Sequence, residues 1–158
     1  MLLWDRVLKP QFKKDYLQHK DLRRLLKKDD PTLLEIGASD GGSTHALLLS
    51  FPHAEIYAFE PEPRALKIFK SRNFSSQVHL YETAIGAVNG QVDFYQSDGS
   101  PDDVVAGTDV SDGWHYSGSI RKPAEALKTN FDWLRFDNKI TVDISSVNAG
   151  VKTHHWPE

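Results

Sequence analysis

The sequence has no cysteine and one methionine among 158 residues. Disulfides and thiolate metal sites are therefore excluded, no metal is expected, and a cytoplasmic location is the natural expectation. No apolar run approaches the ~20 residues of a membrane span. The opening stretch, MLLWDRVLKPQFKK, lacks the basic-then-apolar order of a secretory leader. Charge of one sign is also scarce, with a net value of only −3, so no nucleic-acid partner is expected. No internal repeat is visible.

What is present is an ordinary globular composition, 39% apolar and 26% charged. The length suits one domain with a real core. Charge is uneven along it: residues 1–30 carry nine Lys/Arg against five Asp/Glu, and the remainder ten against seventeen. The chain divides accordingly into an N-terminal helical segment, 1–30, and a Rossmann-like domain, 31–158. The basic segment reads first as a helix with one solvated face.

Apolar spacing predicts a helix over 11–28, ended by Asp29-Asp30-Pro31. A short strand follows at 32–37, a helix at 42–50, a strand at 55–60, a helix at 63–72 and a strand at 78–84. Pro63 suits the first turn of its helix. This alternation argues for an α/β fold, a parallel sheet covered by helices on both faces. The pattern then changes. Asn89-Gly90 signals a hairpin, and 91–96 alternates as an antiparallel strand. Residues 97–119 form a long loop rich in Asp, Gly and Ser, of a length usually functional or disordered. A short helix at 123–131 and a last strand at 139–144 complete about five strands.

The most informative stretch is LLEIGASDGGST, 33–44. A strand, a glycine turn and a helix N-terminus together make a nucleotide-type site, because free N–H groups and backbone approach are both available there. No Lys follows the glycines, which excludes a Walker-type phosphate loop. The order E-x-G-x-x-x-G also differs from the G-x-G-x-x-G of dinucleotide folds, which disfavours an NAD enzyme. Glu35 sits inside an apolar strand, where turn N–H groups or a bound ammonium would offset its burial. Glu60 ends the second strand, 23 residues after Gly37, where an acid can take both ribose hydroxyls of an adenosine. Thr83-Ala84-Ile85 supplies small and apolar groups on which an adenine could lie.

These residues resemble the class I S-adenosylmethionine-dependent methyltransferases, and more closely the FkbM family. The matching segments are EIGASDGGST, AFEPEPRAL, ETAIGAVNGQVDFY and WHYSGSIRKP, in that order, across roughly residues 30–145. The resemblance implies S-adenosylmethionine as cofactor. Glu35, Gly37 and Gly41 would bind its methionine portion with Asp40 and Thr44 nearby, Glu60 its ribose, and Thr83 and Ala84 would lie near adenine. It implies O-methyl transfer to a hydroxyl of a sugar or other small metabolite, with His115, Ser117 and Ser119 on the acceptor side and no catalytic residue assigned. The alternative is a non-catalytic module that binds an adenosine ligand or a protein. The family pattern continues past a segment like KITVDI with TLD and a further acidic strand, neither of which occurs here. A partial domain is therefore expected, with the edge of 32–37 covered by the N-terminal segment, a second copy or a strand-donating partner.

Overall fold

A computed structural model describes residues 19–100, 113–124 and 131–149. The expected helix over 11–28 is described only from His19 to Leu26, here α1. The core of the expected helix 123–131, the middle of the loop 97–119 and the tail from 150 lie outside the described residues. In chain order the other elements are β1 (Thr32–Ile36), α2 (Gly42–Ser50), β2 (Glu55–Phe59), α3 (Pro63–Ser71), β3 (Val78–Tyr81), β4 (Ala84–Ile85), β5 (Gly90–Asp98) and β6 (Arg135–Ser145). The chain is α/β, with two three-stranded sheets among the described residues. The first is parallel in the order β1-β2-β3; the second is mixed, in the order β4-β6-β5.

The first sheet grows in one direction, so its successive right-handed crossovers place α2 and α3 on the same face. That face carries Leu33, Ile56 and Ala58. Phe51, Ala54 and Ile56 are fully buried, with Leu22 of α1 and Leu47 and Leu48 of α2 packed against them. Nearer the carboxyl ends, Ala38 and Ala58 pack on Phe69 of α3. Burying a side chain such as Phe51 or Ile56 contributes about 1.5–3 kcal/mol. On the opposite face Tyr57 stacks on His79 with ring centroids 4.7 Å apart, and Phe59 on Tyr81 at 5.2 Å. Leu34 and Ile36 on that side are 43% and 60% exposed.

The expected strand 78–84 is in fact two. Its first half stays beside β2, whereas Ala84 and Ile85 leave that sheet and pair in parallel with Ile144 and Ser145. Glu82 and Thr83 pass the chain from one sheet to the other. Asn89-Gly90 closes no tight hairpin, because β6 lies between β4 and β5. The Asn89 side chain instead accepts a 2.8 Å bond from the Ser146 N–H, and Gly90, at φ 126°, starts β5. Strands β5 and β6 both run longer than expected and pair antiparallel over most of their length. Alternation puts Phe94, Val142 and Ile144 inside with Ala84, and Asp93, Lys139 and Asp143 outside, as a one-sided antiparallel sheet requires.

The sheets are joined by a polar network. Glu62, 1% exposed, holds the Arg64 guanidinium through both carboxylate oxygens at 3.1 Å and accepts from Gln96 Nε2 of β5 at 2.7 Å. Arg64 reaches on to the Ser97 carbonyl at 2.8 Å, and the Asn138 amide bonds to Gln96. A carboxylate buried this deeply is tolerated because it is paired and fully hydrogen-bonded.

Candidate cofactor and acceptor site

The turn after β1 is shaped by backbone conformation. Gly37 and Gly41 have φ of 81° and 80°, and Ser39 has φ 50°. Left-handed conformations are cheap for glycine and costly for serine. The N–H groups of Gly37 and Ala38 both bond to the Phe59 carbonyl, at 2.9 and 3.0 Å. Ser39 N–H donates to Glu60 Oε2 at 2.8 Å, and Glu62 N–H to Glu60 Oε1 at 2.8 Å. Glu60 therefore ties the ends of β1 and β2 together, and each of its oxygens keeps a further lone pair for a ligand. Burial raises its pKa, opposed by those two N–H bonds and reinforced by the neighbouring Glu62.

The two glycines do different work. A Cβ on Gly37 would meet open space, whereas one on Gly41 would come within 2.9 Å of Phe69 and Phe74. Gly41 thus lets α2 pack on α3. Asp40 accepts from the Gly42 N–H at 2.9 Å and pairs with Arg72 at 2.8 Å, placing an acid at the start of α2, where the dipole favours it. Glu35 points to the helix-covered side and accepts from the buried Thr44 hydroxyl at 2.6 Å, not from a turn N–H. Burial pushes its carboxyl up to about 7; the Thr44 bond opposes the shift, and Asp40 and Glu60 add to it.

A cavity of about 270 Å³ opens where the carboxyl ends of β1 and β2 face the second sheet, the usual place for a ligand in an open α/β sheet. Ile36, Gly37 and Ser39 form one wall, Phe59–Glu62 and Thr83–Ile85 another, and Phe94 with His115, Tyr116 and Gly118–Ile120 the third. Of the residues expected at the site, it brings together Gly37, Glu60, Thr83, Ala84, His115 and Ser119. Glu35, Asp40, Gly41 and Thr44 stand behind the turn and support it. Ser117 faces away, its hydroxyl accepting from Trp114 Nε1 at 3.0 Å.

Ser119 pairs with Tyr95 through both backbone groups, at 2.8 and 3.0 Å, which fastens the Ser117-Gly118-Ser119 segment to β5. A Cβ on Gly118 would fall 2.5 Å from the Phe94 ring, which explains the glycine. Ser39, Glu62, Tyr116 and Phe94 are among the lining residues that sequence reasoning missed. Glu62 carries a visible signal, as the second acid of EPEP, and Ser39 lies within the glycine turn. Phe94 and Tyr116 depend on contact between segments distant in sequence. The Ser39 hydroxyl and both His115 ring nitrogens are buried without a hydrogen-bond partner, which is unusual for buried polar groups.

No family model matches the chain. Over 126 residues it is 36% identical to the 2-O-methyltransferase NoeI of Sinorhizobium fredii, an alignment covering 79% of this chain and 48% of that protein. The chain is similar to part of a methyltransferase. It spans about half the length of that curated relative. Among the described residues no group of three or more His, Asp or Glu could hold a metal ion, and no helix is long and apolar enough to cross a membrane.

Proposed function

We propose that the cavity binds S-adenosylmethionine and that the protein is an FkbM-type O-methyltransferase of the cytoplasm, acting on a hydroxyl of a sugar or other small metabolite. The observation that carries this reading is the junction of Gly37, Ser39 and Glu60. An open positive-φ glycine, an unpartnered buried hydroxyl and a carboxylate with spare lone pairs converge on one cavity. These groups fit the cofactor's polar sugar and amino-acid parts, and Thr83, Ala84 and Ile85 offer a small apolar surface for its base. Glu35, bonded to the Thr44 hydroxyl behind the turn, would serve the methionine portion by supporting the backbone of Gly37 and Ser39 rather than by touching it. When bound, S-adenosylmethionine supplies an electrophilic methyl group on a sulfonium. The chain's own contribution is alignment and exclusion of water. Similarity to a protein named a 2-O-methyltransferase supports the reaction class.

Calorimetry with S-adenosylhomocysteine tests the reading. Binding to the wild type is expected, with at least tenfold loss in Glu60→Ala; unchanged affinity in that variant would remove Glu60 from the ribose. A second reading is a module that holds an adenosine ligand without turnover. The exposed Leu34 and Ile36 on the uncovered face of β1 favour it, since such patches mark protein contacts. Retained affinity with no methyl transfer to any acceptor would select it.

A further inference from the structure

We propose that His115 is the base that takes the proton from the acceptor hydroxyl. The inference rests on the methyltransferase reading above and goes beyond it by assigning the proton. Methylating a hydroxyl leaves one proton to be accounted for. As the acceptor oxygen forms its bond to the methyl carbon, its O–H proton passes to the unprotonated ring nitrogen of His115. The methyl–sulfur bond of the donor would break in the same step with its electron pair left on sulfur, and the imidazolium formed at His115 would then release the proton to water.

Elimination among the described lining residues points to this side chain. Glu60 spends an acceptor position of each oxygen on the N–H groups of Ser39 and Glu62 and is placed for the cofactor. Glu62 is held by Arg64 and Gln96. The hydroxyls of Ser39, Thr83 and Ser119 are very weak bases, and so is the neutral phenol of Tyr116. His115 is 4% exposed, lines the cavity, and has no hydrogen bond of sound geometry at either ring nitrogen. The Gly113 backbone lies within reach of one ring nitrogen, and the other is a buried polar atom that is costly unless a ligand supplies its partner.

Position and ionisation agree with the role. Ser97 Oγ donates to the Trp114 carbonyl at 2.8 Å and accepts from the Ser117 N–H at 3.0 Å, bracketing His115 in a fixed turn. Tyr116 lies against its ring with centroids 4.1 Å apart. Burial lowers the His115 pKa and the Arg64 guanidinium lowers it further, while the nearby Gly113 backbone, Glu62 and Asp40 oppose the shift. The ring is thus neutral near pH 7, the state a general base requires.

The experiment uses the full chain with S-adenosylmethionine and a panel of methyl glycosides bearing free 2-hydroxyls, alongside NMR of ring-labelled histidine with His115 assigned by loss of its signal in His115→Gln. Three results are expected. His115→Gln and His115→Phe bind S-adenosylhomocysteine within about threefold of wild type. Both variants lose at least ~100-fold in kcat. The acid limb of the wild-type pH–rate profile falls at the pKa that NMR gives for His115, whose ring resonances move when a turned-over glycoside is added to the S-adenosylhomocysteine complex. No binding of S-adenosylhomocysteine by the wild type overturns the methyltransferase reading and this proposal with it. Binding without turnover of any glycoside overturns the proposal together with transfer to sugar hydroxyls and favours the non-catalytic module; a fully active His115→Gln or an unmoved His115 ring overturns the proposal alone.

Discussion

Glu35→Gln should make the protein more stable at alkaline pH and leave it unchanged in acid. In the folded chain the Glu35 carboxyl is raised from 4.5 to about 7, chiefly by burial, whereas in the unfolded chain it returns to the ordinary value. Below about pH 4.5 the group is neutral in both states and costs nothing. Between 4.5 and 7 the folded state holds a proton that the unfolded state has lost, so stability falls as pH rises. At ~1.36 kcal/mol per unit, the full penalty above pH 7 is about 3 kcal/mol. Glutamine keeps the shape and an acceptor oxygen for the Thr44 hydroxyl without the charge. Urea unfolding of both proteins from pH 4 to 8.5 should give curves that coincide near pH 4 and separate to about 3 kcal/mol by pH 8. The corresponding rise in midpoint temperature is roughly 6–12 °C for a chain of this size. Glu60, also raised by burial, adds a slope of the same sign, and His115, lowered by burial, one of the opposite sign. His115 is common to the two proteins and cancels in the difference, whereas Glu60, relieved of repulsion from Glu35 in the variant, adds a smaller separation of the same sign. Parallel curves across the whole range would refute the claim that Glu35 is buried against its charge.

Gly37→Ala and Gly41→Ala separate the two glycines of the turn: both pay about 1–2 kcal/mol for positive φ, but only Gly41→Ala also drives a methyl into Phe69 and Phe74. Thermal unfolding should show the larger loss at 41, and calorimetry the larger loss of S-adenosylhomocysteine affinity per unit of stability at 37. Arg64→Ala leaves the buried Glu62 carboxylate without its guanidinium, so a loss of about 3–5 kcal/mol is expected; a loss below 1 kcal/mol in urea unfolding would show that the junction of the two sheets does not depend on this pair. The outer edge of β1, with Leu34 and Ile36 exposed beside it, should pair with a second copy. Light scattering should then find a dimer that Ile36→Lys reduces to a monomer, and a wild-type monomer at all concentrations would exclude that pairing.

How much of this was legible in the sequence follows from how far each interaction reaches along the chain. The first sheet was readable because its signals are local: apolar runs, a proline at the first turn of α3 and a glycine turn each act within a few residues. The place of Glu60 at the cavity was readable for the same reason, since it follows a strand whose spacing from Gly37 is set by one intervening helix. Where reading failed, the decisive contact was long-range. Asn89-Gly90 has the composition of a tight hairpin, yet its partner is Ser146, and nothing near residue 89 reveals that β6 will insert between β4 and β5. The break at Glu82-Thr83 is invisible for the same reason, because Ala84 leaves one sheet only to pair with Ile144 of another. The acceptor wall shows how such contacts become a site. His115 belongs to a loop with no periodic signal, and its place against the cavity is set by Ser97 bonding to the Trp114 carbonyl and the Ser117 N–H, and by Ser119 pairing with Tyr95. Those bonds fasten the loop to β5, and β5 is tied to the carboxyl-end side of the first sheet by Glu62, which holds Arg64 and Gln96 together. The wall made by the glycine turn is thus built from neighbours in sequence and the wall that carries His115 from neighbours in space. A mutation in the junction, far from any ligand, should therefore disturb the acceptor wall before it disturbs the glycine turn.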